Sequence, residues 1–208
     1  MIYVFLDQWL PVYMKIVDDF GYSVEDDMYS AMELARLRGS DVLEPLKSLR
    51  GKSVEVLGPY ADTPTEKEQI VADSALERAL KVGSVPKYLV TDLDGNVALQ
   101  RDLNLDGVTA IIHAHGDNIE KIVHWAPRFK GHVIATCQCE PPEGIYNFGG
   151  FTDGDRGVVL ADHFGAKEII LNGWDFKNPV EGSSPTKAKK LRWAREIIDM
   201  LDTPITIL

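Results

Sequence analysis

Apolar residues recur at three- and four-residue steps through the first fifty positions and in short continuous blocks after that. Trp9, Tyr13, Ile16, Val17 and Phe20 make one helical stripe, stopped by Gly21. Met28, Ala31, Met32, Leu34 and Ala35 make a second, ended by Gly39, and Val42, Leu43, Leu46 and Leu49 a shorter third. These faces read as core and docking surface, with no residue type that suggests chemistry. From Gly51 the period changes. Apolar blocks predict strands over 54–57, 70–73, 87–91, 108–113, 132–136, 168–171 and 205–208. Helices are expected over 74–82, 119–125, 156–164 and 186–201, with a weak helix or loop over 97–105. Strands alternating with helices predict an α/β fold, a mostly parallel Rossmann-like sheet with helices on both faces. The expected division is a small helical region, 1–50, followed by an α/β domain, 51–208.

Composition narrows the partners. The 208 residues carry a formal net charge of −10, which disfavours non-specific binding to nucleic acid or to an anionic membrane. Any phosphate chemistry must therefore use local cations or a metal. Cys137 and Cys139, one residue apart, read as reduced thiols of a cytosolic protein. The first ten residues carry Asp7 and lack a cationic leader region, and no apolar run approaches the roughly 20 residues that span a bilayer. The expected location is cytoplasmic.

Polar clusters stand where the predicted strands end. Strand 70–73 ends in Asp73, and strand 87–91 runs into Asp92-Leu93-Asp94-Gly95-Asn96. Strand 108–113 runs into His113-Ala114-His115-Gly116-Asp117-Asn118, strand 132–136 into Cys137-Gln138, and strand 168–171 into Asn172-Gly173-Trp174-Asp175. In a parallel sheet these tips share one edge, where ligands bind. Strand alternation would put Asp92 and Asp94 on one side of the chain. Two carboxylates about 5 Å apart repel by roughly 3 kcal/mol at an effective dielectric of about 20. A hard cation such as Mg²⁺ carrying a polyphosphate would neutralise them. The plainer reading is a tight turn with two solvated aspartates. HAHGDN has three readings: a helix cap at Asp117 or Asn118, a histidine metal motif like that of metallo-β-lactamase-like hydrolases, or a third acid, Asp117, on the same Mg²⁺. DLDGNV also resembles the first motif of haloacid-dehalogenase-like phosphatases.

The segment Asn147-Phe148-Gly149-Gly150-Phe151-Thr152-Asp153-Gly154-Asp155-Arg156 combines glycines with the start of a predicted helix. Backbone N–H groups and the helix dipole there suit an anion, and Arg156 offers a fork for two phosphate oxygens. The alternative is a flexible loop and a capped helix, with Asp153 or Asp155 as the cap. Ser184-Pro185 opens the last long helix well, but Lys187 and Lys190 in its first turns oppose the macrodipole. A triphosphate clamp explains that misfit; a solvated face is the other reading.

Together VTDLDGN, HAHGDN, NFGGFTDGDR, GAKEIILNGWDF and KKLRWA, with Trp9, Tyr13 and Phe20-Gly21-Tyr22 in the front helices, resemble the archaeal 6-hydroxymethyl-7,8-dihydropterin diphosphokinase family over nearly the whole chain. That family is distantly similar to thiamin pyrophosphokinases. The resemblance implies transfer of diphosphate from ATP to the hydroxymethyl group of a reduced pterin, releasing AMP, in tetrahydromethanopterin or folate-type cofactor synthesis. It implies Mg²⁺ on Asp92, Asp94 and Asp117, with Asp94 or Asp117 orienting the attacking hydroxyl. ATP falls to Asp73, Thr152, Asp153, Asp155, Arg156, Lys187 and Lys190, and the pterin to Asn118, Gln138, Asn147 and Asp175. Trp174 is a core residue or a stacking platform. The partners implied are ATP and the pterin, without nucleic acid or membrane, and a homodimer is compatible with the pattern. The alternatives are a thiamin pyrophosphokinase-like enzyme, a phosphatase, and a nucleotide-binding module without turnover. The last rests on the Gly58-Pro59-Tyr60 turn; relatives carry glycine-richer turns there and at Ala72-Asp73-Ser74.

Overall fold

The computed structural model describes residues 3–62, 67–177 and 184–208. Among the described residues, seven strands form one sheet: β1 Ser53–Leu57, β2 Glu68–Ala72, β3 Tyr88–Thr91, β4 Thr109–Ala114, β5 Val133–Cys137, β6 Glu168–Asn172 and β7 Ile205–Ile207. Their spatial order is β5-β4-β3-β2-β1-β6-β7, and every described pairing is parallel. Apart from the exposed edge strand β7, the strands are almost wholly buried, as continuous apolar blocks in a parallel sheet require. The helices are α1 Tyr3–Phe20, α2 Val24–Leu37, α3 Asp73–Lys81, α4 Val97–Leu105, α5 Ile119–Trp125, α6 Asp153–His163 and α7 Pro185–Ile198. None of the described helices is long and apolar enough to cross a membrane.

Four elements differ in detail from the sequence reading. The stretch 97–105 is a regular helix, because Asn96 caps it by accepting from Leu99 N at 3.2 Å. The third apolar stripe shrinks to a 3₁₀ helix, Glu44–Leu49, which leaves Val42 outside any helix. Helix α6 begins at Asp153, so both acids of the glycine-rich segment lie in its first turn. The face of α2 is also rotated from the predicted one: Asp27, Ser30, Ala31 and Leu34 are buried, whereas Met32 is 55% exposed.

Contacts group the chain into two compact units, one of residues 1–43 and 91–149, the other of 44–90 and 150–208. In the first, α2 packs against β4 and β5. In the second, α6 packs on β1, β2 and β6, with Gly157 giving the close approach: a Cβ there would lie 3.0 Å from Ile70 and 3.3 Å from Val56. The second unit also holds the point where strand order reverses. The chain runs outward from β1 to β2 and β3, then returns to place β6 on the other side of β1. Open α/β sheets bind ligands at that reversal, beyond the carboxyl ends of the strands.

Candidate active site

In the first unit the site begins where β3 ends. The strand stops at Thr91, and Leu93 has φ +65°, the one described non-glycine residue in the left-handed region. The alternation expected to align Asp92 with Asp94 therefore breaks. A local network holds the turn. Thr91 Oγ1 accepts from Leu93 N and donates to Gln100 Oε1, both at 2.8 Å, while Gln100 Nε2 donates to the Asp94 carbonyl at 2.7 Å. The buried Leu93 side chain anchors the conformation against a strain of order 1–3 kcal/mol. The two acids then part company. Asp92 is partly buried, with Oδ2 3.4 Å from His115 Nε2, whereas Asp94 is exposed and ion-paired with Lys121. A lysine, supplied 27 residues away, meets the Asp94 charge that no local residue neutralises.

The HAHGDN segment follows β4. His113 is buried, with Nδ1 3.0 Å from Thr136 Oγ1 on the neighbouring strand, so the two histidines face different surroundings. Asp117 is exposed, and its N–H donates to His115 Nδ1 at 3.3 Å. Asn118 is 1% exposed, with its amide spent on the backbone. Nδ2 donates to the carbonyls of Asp92 at 2.9 Å and His113 at 2.8 Å, and Oδ1 accepts from His115 N at 3.0 Å. It ties two strand ends together. Asn147 is occupied in the same manner: Nδ2 donates to the carbonyls of Gln138 and Cys139, and Oδ1 accepts from Gly149 N. Of the amides expected at the pterin, these two hold backbone.

Gln138 leads to a residue the sequence reading passed over. Its Nε2 donates to Asp27 Oδ2 at 2.8 Å; the same oxygen accepts from Tyr13 Oη at 2.7 Å, and Oδ1 accepts from Gly116 N at 2.7 Å. Asp27 is a 3% exposed carboxylate that joins α1, α2 and the β4 and β5 loops. Burial, and then the negative charges of Asp117 and Asp27, push the Tyr22 hydroxyl up. A signal for Asp27 did exist: it stands four residues before Ala31 and seven before Leu34, in register with the apolar face.

In the second unit, Asp73 opens α3 and Asp153 opens α6, and their carboxylate oxygens come within 4.8 Å. Arg156 is 7% exposed, and its Nη1 binds Asp153 Oδ1 at 3.0 Å. Part of the guanidinium expected to fork phosphates thus positions a carboxylate. Thr152 and Asp155 form a capping box, in which Asp155 accepts from the N–H groups of Phe151 at 2.5 Å and Thr152 at 2.8 Å, and from the Thr152 hydroxyl. Burial pushes the Asp155 carboxyl above the usual range against those bonds. Gly150, φ +90°, is required here: a Cβ would sit 2.6 Å from Arg156 Cα. Lys187 is exposed, and Lys190 Nζ lies 5.6 Å from the Phe151 ring centroid, beside the start of α6. Asp175 accepts from Lys177 N at 2.8 Å. Glu55, fully buried in β1, accepts from Gln69 on β2 at 3.1 Å and from Asn172 on β6 at 3.0 Å.

Strand β3 lies parallel beside β2, with Ala72 opposite Val90. Each strand is thus followed at its carboxyl end by an aspartate, Asp73 or Asp92.

The family described as 6-hydroxymethylpterin diphosphokinase MptE-like matches residues 66–181. A Pyrococcus furiosus protein named 6-hydroxymethyl-7,8-dihydropterin pyrophosphokinase is 39% identical over 94% of this chain and 93% of its own length. The chain belongs to the MptE-like family. Two further relatives carry the same name. The one from Methanocaldococcus jannaschii is 32% identical, covering 97% of this chain and 98% of its own; the one from Methanothermobacter thermautotrophicus is 34% identical, covering 93% and 94%. The MptE-like match contains Asp73, Asp92, Asp117, Asp153 and Arg156, and leaves Asp27 outside it.

Proposed function

We propose that this protein is a transferase that moves diphosphate from ATP to the hydroxymethyl group of 6-hydroxymethyl-7,8-dihydropterin, releasing AMP. Family membership, with three relatives of that name matching over nearly full length, carries the reading. The aspartates at the strand tips support it. Asp73 and Asp153 bring hard oxygen donors within 4.8 Å, a spacing that fits a divalent ion such as Mg²⁺. These two aspartates would hold it. When bound, the ion supplies charge neutralisation to the triphosphate. The chain's own residues do the rest. Arg156 fixes the Asp153 carboxylate, and the Asn118 amide fixes the Asp92 backbone. Lys187 and Lys190 approach the phosphates from α7. The pterin hydroxyl attacks the β-phosphorus as the bond to the α-phosphate breaks, and its proton passes to a nearby carboxylate. Asp117 and the Asp92–His115 pair are the groups proposed to orient it. Asp94, held by Lys121, is proposed to set the field at the turn. Diphosphate transfer needs positioning and electrostatics more than covalent help, and this donor set provides them. The pathway served would be tetrahydromethanopterin or folate-type synthesis, in the cytoplasm.

Incubation with ATP, Mg²⁺ and the reduced pterin should yield AMP and the pterin diphosphate, and Asp92→Asn should abolish turnover with the fold intact. AMP formation with thiamin but not with the pterin would overturn the proposal.

A further inference from the structure

A cavity of about 410 Å³ opens at the reversal of strand order, beyond the carboxyl ends of β1 and β6. Tyr60, Asp62, Asn172, Trp174 and Asp175 line it. Its walls are fixed by backbone contacts. Gly58 N donates to the Asn172 carbonyl at 2.8 Å and Tyr60 N to the Gly173 carbonyl at 3.0 Å. A Cβ on Gly173, φ +74°, would fall 1.9 Å from Ala61 N. Trp174 is held as rigidly: its Nε1 donates to the Val56 carbonyl at 2.9 Å, and its ring fills the space where a Cβ on Gly58 or Gly154 would stand. The Asn172 amide is held from below by Glu55.

From this cavity we infer that the nucleoside end of the triphosphate donor binds between β1 and β6, with Tyr60 and Trp174 as its aromatic contacts and Asp62 and Asp175 as acceptors for its hydroxyl and amino groups. The inference rests on the diphosphokinase reading and adds which substrate end goes where. The carboxylate oxygens of Asp62 and Asp175 at the rim suit a neutral, donor-bearing group. Tyr60 is 45% exposed beside the indole, an aromatic face unused by the protein's core. Position decides between the two ring systems. Asp73 follows β2, one strand of about 4.8 Å from β1, and Trp174 abuts Gly154, the residue after Asp153. The pterin's attacking hydroxyl is one carbon from its ring, so that ring must lie close to the reacting phosphorus. The nucleoside stands off by the α-phosphoryl group, as the cavity stands off from the Asp73–Asp153 pair.

Calorimetric titration of the metal-free protein with AMP and with the pterin, and steady-state kinetics, test this on Tyr60→Ala and Asp62→Asn, both at exposed positions. AMP affinity should fall about tenfold in Tyr60→Ala, with a matching rise in KM for ATP and an unchanged KM for the pterin. Unchanged AMP affinity in both variants, or a loss confined to the pterin, would overturn it. A wild-type protein that binds AMP through Tyr60 yet forms no AMP from ATP and pterin would sink the catalytic reading and leave this subsite standing.

Discussion

Asn118→Asp separates a substrate-binding role from a structural one. The replacement keeps size and shape, but it exchanges a two-hydrogen donor for a carboxylate oxygen. That oxygen would face the carbonyls of Asp92 and His113, which Nδ2 now binds at 2.9 and 2.8 Å. Two bonds of about 1 kcal/mol each are lost, and a buried charge faces two unsatisfied acceptors, so about 2–4 kcal/mol of stability should go. For a chain of this size that lowers Tm by about 5–15 °C. The sign of the pH dependence is fixed. Burial beside carbonyls raises the variant carboxyl's pKa, and the protonated acid donates one bond. The deficit should therefore shrink as pH falls through that raised value and be largest above it. Urea denaturation at pH 7.5 and pH 5 reads both effects. The kcat should fall, because the Asp92 backbone loses its tether, while KM for the pterin moves little. A variant with wild-type Tm and a tenfold higher pterin KM would refute the argument and return Asn118 to the substrate.

Other outcomes are as specific. Gly58→Ala places a Cβ 2.5 Å from the Gly173 carbonyl and 2.8 Å from the Trp174 ring, so it should cost about 1–3 kcal/mol and shift tryptophan emission; a neutral effect on both would show that the β1–β6 loops give way. Burial holds the His163 imidazole below its usual 6.5 against the pull of Asp162, so stability is lost as pH falls from that value towards the lowered folded one. His163→Gln should flatten denaturation midpoints across that window, and an unchanged slope would count against it. Arg156→Lys should lower kcat by loosening Asp153, with secondary structure preserved by circular dichroism; full activity would remove the guanidinium from the site. EDTA should stop AMP formation and Mg²⁺ restore it, and turnover in the chelator would refute the metal assignment.

The fold was legible because its strands are short, continuous apolar blocks, each closed by a polar cluster, and that pattern has one common solution. All seven predicted strands form. Side-chain direction was less legible. Asp92 and Asp94 are two apart in sequence, and only the left-handed Leu93 separates their surroundings. Asn118 and Asn147 look like ligand-binding amides until their partners are seen to be backbone carbonyls. Glu55 is a single acid within an apolar strand and Asp27 the last of three consecutive acids at a helix start, and pattern reading passes over both. Their importance comes from Tyr13, Gln138, Gln69 and Asn172, partners at distances along the chain that no local window spans. The Asp73–Asp153 pair is equally non-local; its members stood in the sequence as a strand end and a helix cap.

The threading of the chain between its units has a consequence for synthesis. Each unit is assembled from two separate stretches, so the polypeptide passes from one to the other three times. Strand β1 meets its neighbour β6 only when Glu168 is available to Ser53. On the ribosome, β1 must wait for more than a hundred further residues before its second edge is covered. Until then that edge is a template for the wrong strand. Truncations before β6 should accordingly aggregate rather than yield a smaller soluble domain.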